Sequence, residues 1–157
     1  MITVSLCMIV KNEERTLRRC LDSVRGLMDE IIIADTGSTF RTVEIARDCG
    51  AAVCTFPWCD DFAAARNFAF SKATMQYCMW LDADDVLEPA DREAFRKLKE
   101  TLDPDTDVVM LRYHTGFDES GKPTFSYWRE RLLRRAAGFR WQGAVHEAIA
   151  PAGKIVY

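Results

Sequence analysis

The sequence has no apolar run long enough to cross a lipid bilayer. A membrane-spanning helix needs roughly 20 consecutive apolar residues, and stretches such as "SLCMIV" near the start are far shorter. The opening "MITVSLCMIVKNEE" also lacks the basic segment that begins a secretory signal. Internal repeats and low-complexity tracts are absent as well. We therefore expect neither a transmembrane segment nor a secreted protein.

Paired cysteines are also missing from the sequence. None of the six cysteines forms a C-x-x-C motif, which argues against a zinc ribbon or a thioredoxin-like redox site. Several lie inside apolar runs, where a thiol behaves as a small hydrophobic side chain. This usage predicts reduced thiols and a cytoplasmic location.

A strong excess of positive charge is the third absence. The chain has 21 Lys and Arg against 24 Asp and Glu, with a net charge of -3. The local basic excess lies between Arg129 and Arg140, so we do not expect nucleic acid as a partner. The 157 residues are 48% apolar, which is enough for one sizeable core.

Apolar, β-branched segments alternate with segments of helical period along the first two thirds of the chain. The predicted strands are 3–10, 30–34, 51–56, the segment that ends before Asp82, and 107–113. Helices are predicted from Leu17, over 41–50, over 62–73, and from Pro89 to about Lys99. This alternation predicts an α/β fold with a mainly parallel sheet and helices on both faces.

The pattern changes after residue 113. "HTGFDESGKPTFSYW" is rich in turn residues, and no convincing helical period follows it. We predict that 114–157 adds antiparallel strands and loops to the α/β part. The chain stops at "KIVY" without a polar tail, which we interpret as the end of a fragment.

Acidic and amide side chains follow four of the predicted strands. Each of these residues alone is explained by helix capping or solvation. Together they favour a shared site, because ligands of open α/β sheets bind beyond the carboxyl ends of the strands. The residues are Asn12 and Glu13, Asp35, Asp60 and Asp61, and Asp82 and Asp84.

The D-A-D sequence places Asp82 and Asp84 on the same side if the chain is still extended there. Crowded carboxylates need a cation, a proton or full solvation. Mg²⁺ and Mn²⁺ accept such oxygen ligands and keep positions open for substrate phosphates. The three letters alone are a weak signal, since they often occur by chance.

Five motifs together carry a resemblance to a known family. They are "SLCMIVKNEE", "DEIIIADTGST", "DDFAAARNFAF", "WLDADDVLEP" and "WQGAVHE". Their order and spacing resemble those of the family 2 glycosyltransferases, especially the bacterial branch that often carries tetratricopeptide repeats downstream. The resemblance implies a GT-A fold over 1–157, with a nucleotide-sugar-binding part at 1–113 and the start of a truncated acceptor-side part at 114–157.

The same resemblance implies an activity and its cofactors. The family transfers a sugar, with inversion, from a nucleotide diphosphate donor to an acceptor hydroxyl, and it uses a divalent metal. We therefore expect Mn²⁺ or Mg²⁺, a UDP-sugar as donor, and an acceptor that the sequence does not identify.

Site residues follow from the resemblance position by position. Glu147 is the expected general base, and Asp84 with His146 the expected metal contacts. Asp85 is expected either to cap a helix or to support these residues without binding the metal itself. Nucleotide-sugar binding is expected of Asn12, Glu13, Asp35, Asp61, Arg66, Asp82 and Arg131.

Some assignments keep two interpretations. Arg131 belongs to the run "RERLLRRAAGFR", which is either a solvated basic face or a contact for the donor diphosphate. The four tryptophans are most simply core residues, although Trp141, close to Gly143, could stack on a sugar. His114 belongs to no motif and is expected to be structural.

The sequence departs from the family at Phe40, where the family usually has Asp. We expect Ser38 or Thr39 to cap the following helix instead. This departure, and the length of the chain, leave open the alternative of a nucleotide-sugar-binding fragment without turnover. Another alternative is a haloacid-dehalogenase-like phosphatase, since "MWLDADDV" fits its nucleophile motif. That motif normally follows the first strand, however, whereas three β-α units precede it here.

Overall fold

The computed structural model describes residues 1–39 and 41–157, so Phe40 and its predicted effect lie outside the described residues. The strands are β1 (Val4–Val10), β2 (Glu30–Asp35), β3 (Ala52–Thr55), β4 (Tyr77–Trp80), β5 (Val108–Phe117), β6 (Pro123–Arg134) and β7 (Ile155–Val156). The helices are α1 (Leu17–Ser23), α2 (Thr42–Asp48), α3 (Phe62–Ser71) and α4 (Pro89–Thr101), with a short 3-10 turn at Arg135–Ala137.

Over the described residues the strands form one sheet in the order β3-β2-β1-β4-β6-β5-β7. β3, β2, β1 and β4 are parallel neighbours. β6 runs antiparallel to both β4 and β5, and β7 is parallel to β5. The predicted mainly parallel sheet with an antiparallel C-terminal portion is confirmed. The boundary predicted at 113/114 falls inside β5, which is longer than expected.

Helices cover both faces of the sheet, as predicted. Alternate residues of the strands point to opposite faces, and each set meets a different group of helices. The larger cluster joins Leu6 and Met8 of β1 to α1, α2 and α4. On the other face, Cys7 of β1 packs with Ala69 of α3. Strands β1, β2 and β4 therefore supply the buried centre of the sheet, and β3 lies at its edge.

Parallel strands present their carboxyl ends at one edge of the sheet, and the predicted residues Asn12, Asp35 and Asp82 lie at the ends of three such strands. In the register of β1 with β2, Val10 lies opposite Asp35, so both strands end there together. Asp61 is the N-cap of α3, and its Oδ1 accepts a hydrogen bond from the backbone N–H of Ala64 at 3.0 Å. The predicted capping role of Asp61 is therefore present.

The predicted cap of α2 is wrong. The N-cap position is Arg41, which makes no side-chain capping bond. Ser38 instead donates its hydroxyl to Asp35 Oδ1, and the Thr39 backbone N–H donates to Asn12 Oδ1 at 2.8 Å. Ser38 and Thr39 therefore form hydrogen bonds in the loop that follows β2 and do not cap α2.

Two of the four tryptophans are not core residues. Trp80 and Trp141 are buried, but Trp58 and Trp128 are 37% and 43% exposed. In the described part of the chain, no helix is both long enough and apolar enough to span a membrane.

Candidate active site

A closed turn follows β4 and orients the three aspartates. The backbone N–H of Asp82 donates to Asp85 Oδ2 at 2.8 Å, and the backbone N–H of Asp85 donates to the carbonyl of Asp82 at 3.0 Å. Arg131 Nη1 lies 3.1 Å from the same Asp85 oxygen and donates to the carbonyl of Trp80 at 3.1 Å. Asp85 and Arg131 are both buried. Their ion pair therefore holds the turn on its buried side.

Asp85 therefore faces inward, and Asp84 is exposed. The predicted helix-capping role of Asp85 is wrong, because α4 has Glu88 at its N-cap. The Asp85 carboxylate instead contacts the Asp82 N–H and Arg131. Arg131 is neither a solvated surface arginine nor an open contact. Its guanidinium carbon lies 3.8 Å from the centre of the Trp80 ring.

Two carboxylates of the turn keep free oxygen atoms. The side chain of Asp82 is 46% exposed, and its Oδ1 pairs with Arg66 Nη2 at 2.8 Å. Among the hydrogen bonds and ion pairs of the described residues, none involves Asp82 Oδ2 or the carboxylate of Asp84. These oxygens are available to an external ligand.

The negative charges of the turn act on Glu13, which follows β1. We call Glu13, Asp82 and Asp84 the rim. Partial burial, followed by the negative charge of Asp84, raises the pKa of the Glu13 carboxyl. The charge of Asp82 acts in the same direction, and a hydrogen bond from Thr16 opposes it. Three carboxylates from two strand ends therefore repel one another here, which is the condition that a divalent cation relieves.

The loops after β1 and β2 are tied together by Asn12 and Asp35. Asn12 adopts a positive φ of 52°, and its backbone N–H donates to Ser38 Oγ at 3.0 Å. Asp35 is buried, and its Oδ2 accepts the backbone N–H groups of Gly37 and Ser38 at 3.3 and 3.2 Å. These hydrogen bonds join the loop that follows β1 to the loop that follows β2.

Arg66 joins the two halves of the site. Its guanidinium is buried next to the rings of Trp80 and Trp141, 5.1 and 4.8 Å from their centres. Nη2 pairs with Asp82 Oδ1, and Nε pairs with Glu147 Oε1, both at 2.8 Å. The charge of this buried arginine is thus shared by one carboxylate of the D-A-D turn and by Glu147.

Glu147 lies in a short loop closed by backbone hydrogen bonds. The N–H of Gln142 donates to the carbonyl of Ala148 at 2.9 Å, and the reverse bond measures 3.0 Å. Gly143 has a φ of 99°, a left-handed conformation that favours glycine. The side chain of Glu147 is 13% exposed, while the preceding His146 is exposed with a φ of 56°.

The sequence prediction missed Asn67, which contacts this loop. Its Nδ2 donates to the carbonyl of Trp141 at 3.0 Å, and its Oδ1 accepts the Trp141 backbone N–H at 2.8 Å. An Asn in the middle of a predicted helix, directly after Arg66 in "ARNF", was the available signal, because Asn is a poor helix former.

The donor set fits a magnesium-type ion held partly by its substrate. Over residues 1–39 and 41–157, no three His, Cys, Asp or Glu side chains are grouped so that they could hold a metal ion alone. Mg²⁺ is usually bound by one or two carboxylates together with substrate phosphates and water. The free oxygens of Asp82 and Asp84 match that chemistry. Among the described residues, His146 forms no hydrogen bond or ion pair with either of them.

The fold is similar to that of solved glycosyltransferases. S. aureus TarS, in a crystal structure of its residues 1–349, aligns with a TM-score of 0.65 at 18% identity over 86% of this chain and 48% of its own. Glucosyl-3-phosphoglycerate synthase of M. tuberculosis, in complex with uridine diphosphate, aligns with a TM-score of 0.58 at 23% identity over 73% and 45%. The fold is that of the GT-A glycosyltransferases.

The sequence comparisons identify the family. Residues 5–152 match the model of glycosyl transferase family 2, and this chain belongs to that family. A TPR repeat-containing protein of Synechococcus elongatus is 40% identical over 95% of this chain and 36% of its own length. The glycosyltransferase SunS of Bacillus subtilis is 30% identical over 92% and 34%.

The chain spans about a third of the length of these two curated relatives. A lipopolysaccharide core biosynthesis glycosyltransferase of Rhizobium meliloti, LpsC, is 30% identical over 98% of this chain and 59% of its own. Family membership favours the glycosyltransferase interpretation over the phosphatase alternative. The position of Asp82 agrees, because it follows β4 rather than the first strand.

Proposed function

We propose that this chain is the donor-binding and catalytic domain of a metal-dependent, inverting glycosyltransferase. It moves a sugar from a nucleotide diphosphate donor, with a UDP-sugar as the first candidate, to an acceptor hydroxyl. The observation that carries the proposal is the Arg66 guanidinium, which holds Asp82 and Glu147 at one place. A donor contact and a general base must be this close for transfer to occur.

Asp82 and Asp84 would hold Mg²⁺ or Mn²⁺ through their free oxygens, with His146 as a further proposed contact. The bound ion would neutralise the charge that develops on the diphosphate leaving group. Asp85 and Arg131 keep the turn in the shape that exposes Asp84. This geometry favours a supporting role for Arg131 over direct contact with the diphosphate.

The loops that carry Asn12, Glu13 and Asp35 are the proposed nucleotide-binding site. TarS has been crystallised with UDP-GlcNAc and the M. tuberculosis synthase with UDP, which makes uridine nucleotides the first to test here. Asp61 caps α3 and is proposed to contribute indirectly, by fixing the helix that carries Arg66.

Glu147 is the proposed general base. Its Oε1 is held by Arg66, and the described residues offer no hydrogen bond to Oε2. Oε2 can therefore accept the proton of the acceptor hydroxyl as that oxygen attacks the anomeric carbon. The new glycosidic bond forms while the bond to the diphosphate breaks, and attack from the opposite face inverts the anomeric configuration.

Donor hydrolysis and transfer should be assayed with a panel of nucleotide sugars on the full-length protein. The Glu147→Gln variant should lose turnover by about 100-fold or more while it still binds the donor nucleotide. Glu119→Gln, an exposed change in the β5–β6 hairpin, is the control and should keep full activity. Full activity of Glu147→Gln would contradict the proposal, and binding without any turnover in the natural protein would favour the non-catalytic alternative.

Three wider features of the protein are also proposals. Residues 1–113 would bind the donor, and residues 114–157 would begin the acceptor side. The S. elongatus relative contains TPR repeats, which supports a tetratricopeptide region in the whole protein. The cysteines of the described residues are all free thiols, which supports a reducing compartment such as the cytoplasm.

A further inference from the structure

Helix α3 contacts the loop of Glu147 through two adjacent side chains. Arg66 binds the end of the loop at Glu147, and Asn67 binds its beginning at Trp141. The Asn67 amide forms a closed pair with one residue, since it donates to the Trp141 carbonyl and accepts the Trp141 N–H. Such a two-bond pairing fixes both the position and the direction of the backbone.

Trp141 anchors the beginning of the loop. The next residue, Gln142, forms the backbone bridge with Ala148 that closes the loop. The indole of Trp141 is buried, edge-on to Phe70 and Trp80 with ring centres 5.9 and 5.1 Å apart. Its side chain anchors the loop in the core, and its backbone is held by Asn67.

A third contact joins the start of α3 to the middle of the loop. The backbone N–H of Phe62 donates to the carbonyl of Ala144 at 2.9 Å. The loop is therefore held to one helix at Ala144, at Trp141 and at Glu147. Because Arg66 also binds Asp82, the helix that holds the loop also holds the D-A-D turn.

We propose that Asn67 is a positioning residue, which fixes the 141–148 loop through the Trp141 backbone so that Glu147 meets Arg66. Its effect on catalysis rests on the function proposed above. The amide does not contact the free oxygens of Asp82 or Asp84. Its loss should therefore reduce kcat and leave donor affinity nearly unchanged.

The test compares Asn67→Ala, Asn67→Asp and the control Ser71→Ala in the full-length protein. Ser71 lies on the same helix, and among the described residues its hydroxyl binds only the carbonyl of Phe68. Hydrogen exchange at the Gln142 and Ala148 amides reports on the loop. Asn67→Ala should speed this exchange by about tenfold or more and lower kcat by about 100-fold, as expected when a catalytic group is displaced.

Asn67→Asp tests whether the loop depends on the hydrogen-bond donor of the amide. A protonated Asp carries one O–H donor and one acceptor, like the amide, whereas the charged form only accepts. Protection of the loop in Asn67→Asp, divided by its value in Asn67→Ala, should rise as the pH falls from about 7 to about 4, where an Asp carboxyl gains its proton. The same ratio for kcat should rise over the same range. Ser71→Ala should behave as the natural protein does.

The exchange readout separates this proposal from the proposed function. If the natural protein transfers no sugar, the function fails, and exchange at Gln142 and Ala148 still decides whether Asn67 holds the loop. Natural exchange and natural kcat in Asn67→Ala would overturn the proposal. If Asn67→Ala does not fold, Asn67→Asp is compared with the natural protein alone, and the absence of recovery at low pH would overturn it.

Discussion

Arg66 Nε and Glu147 Oε1 lie 2.8 Å apart, although 81 positions separate the two residues. The guanidinium is buried against Trp80 and Trp141, so it cannot swing freely toward solvent. Its other end pairs with Asp82. The proposed base and the proposed donor contact therefore share one buried arginine.

Arg66→Ala should destabilise the fold as well as abolish transfer. It leaves Glu147 little exposed and without its partner, while Asp82 remains half exposed. Removing one member of a buried pair costs about 3–5 kcal/mol, and the exposure of Asp82 places our expectation at about 3 kcal/mol. Urea unfolding measures this free energy.

Arg96→Ala is the matched control for that change. Arg96 pairs with Glu93 on α4, and both side chains are at least half exposed. Exposed pairs contribute about 0–1 kcal/mol, so the control should unfold near the natural midpoint. Equal losses for Arg66→Ala and Arg96→Ala would contradict the shared pairing of Arg66.

Asp85→Asn should loosen the D-A-D turn. Asn can still accept the Asp82 N–H, but it removes the charge opposite the buried Arg131. We expect a loss of about 3 kcal/mol, as for other buried charges left without a partner, together with weaker metal-dependent nucleotide binding. Asp91→Asn, on the exposed first turn of α4, should change stability by less than about 1 kcal/mol.

The pKa of Glu13 should report on the charge of Asp84. Burial and then the charge of Asp84 raise it, so we expect the measured pKa to lie above the ordinary value of a Glu carboxyl and to fall in Asp84→Asn. Asp105→Asn, an exposed change far along the sequence, should leave it unchanged. Carbon-detected NMR of the Glu13 carboxyl measures the titration, and an identical curve in both variants would contradict the shared rim.

The same shift predicts a sign for stability. Because the folded pKa of Glu13 is raised, its contribution to stability is fully present below the unfolded pKa. It is lost as the pH rises through the folded pKa. Glu13→Gln removes this contribution, which falls with pH. The unfolding free energy of Glu13→Gln minus that of the natural protein should therefore increase as the pH rises through this acidic window. A difference that decreases with pH would show that the sign is wrong.

Local patterns predicted the strands, the helices and their alternation, because side-chain period and turn residues act over a few positions. They did not predict that β6 enters between β4 and β5, since strand pairing depends on distant segments. The capping error at Ser38 has a similar cause. Its hydroxyl was a suitable cap by type, but folding brings it to Asp35 instead.

The motif resemblance placed Asp82, Arg66 and Glu147 in one site, but not in one ion-pair network. That network requires Arg66 to be buried between two indoles, a packing fact that residue types alone do not encode. Arg131 shows the same limit. The sequence offered a solvated arginine or a diphosphate contact, and the structure has a buried partner of Asp85.

Calorimetric titration of UDP with and without Mn²⁺ tests the central claim most directly, using the natural protein and Asp84→Asn. We predict UDP binding that depends on Mn²⁺ in the natural protein and is lost in Asp84→Asn, with both proteins unfolding at similar temperatures. No metal-dependent binding at about millimolar UDP, or unchanged binding in Asp84→Asn, would contradict the assignment of this rim as a metal and nucleotide-sugar site.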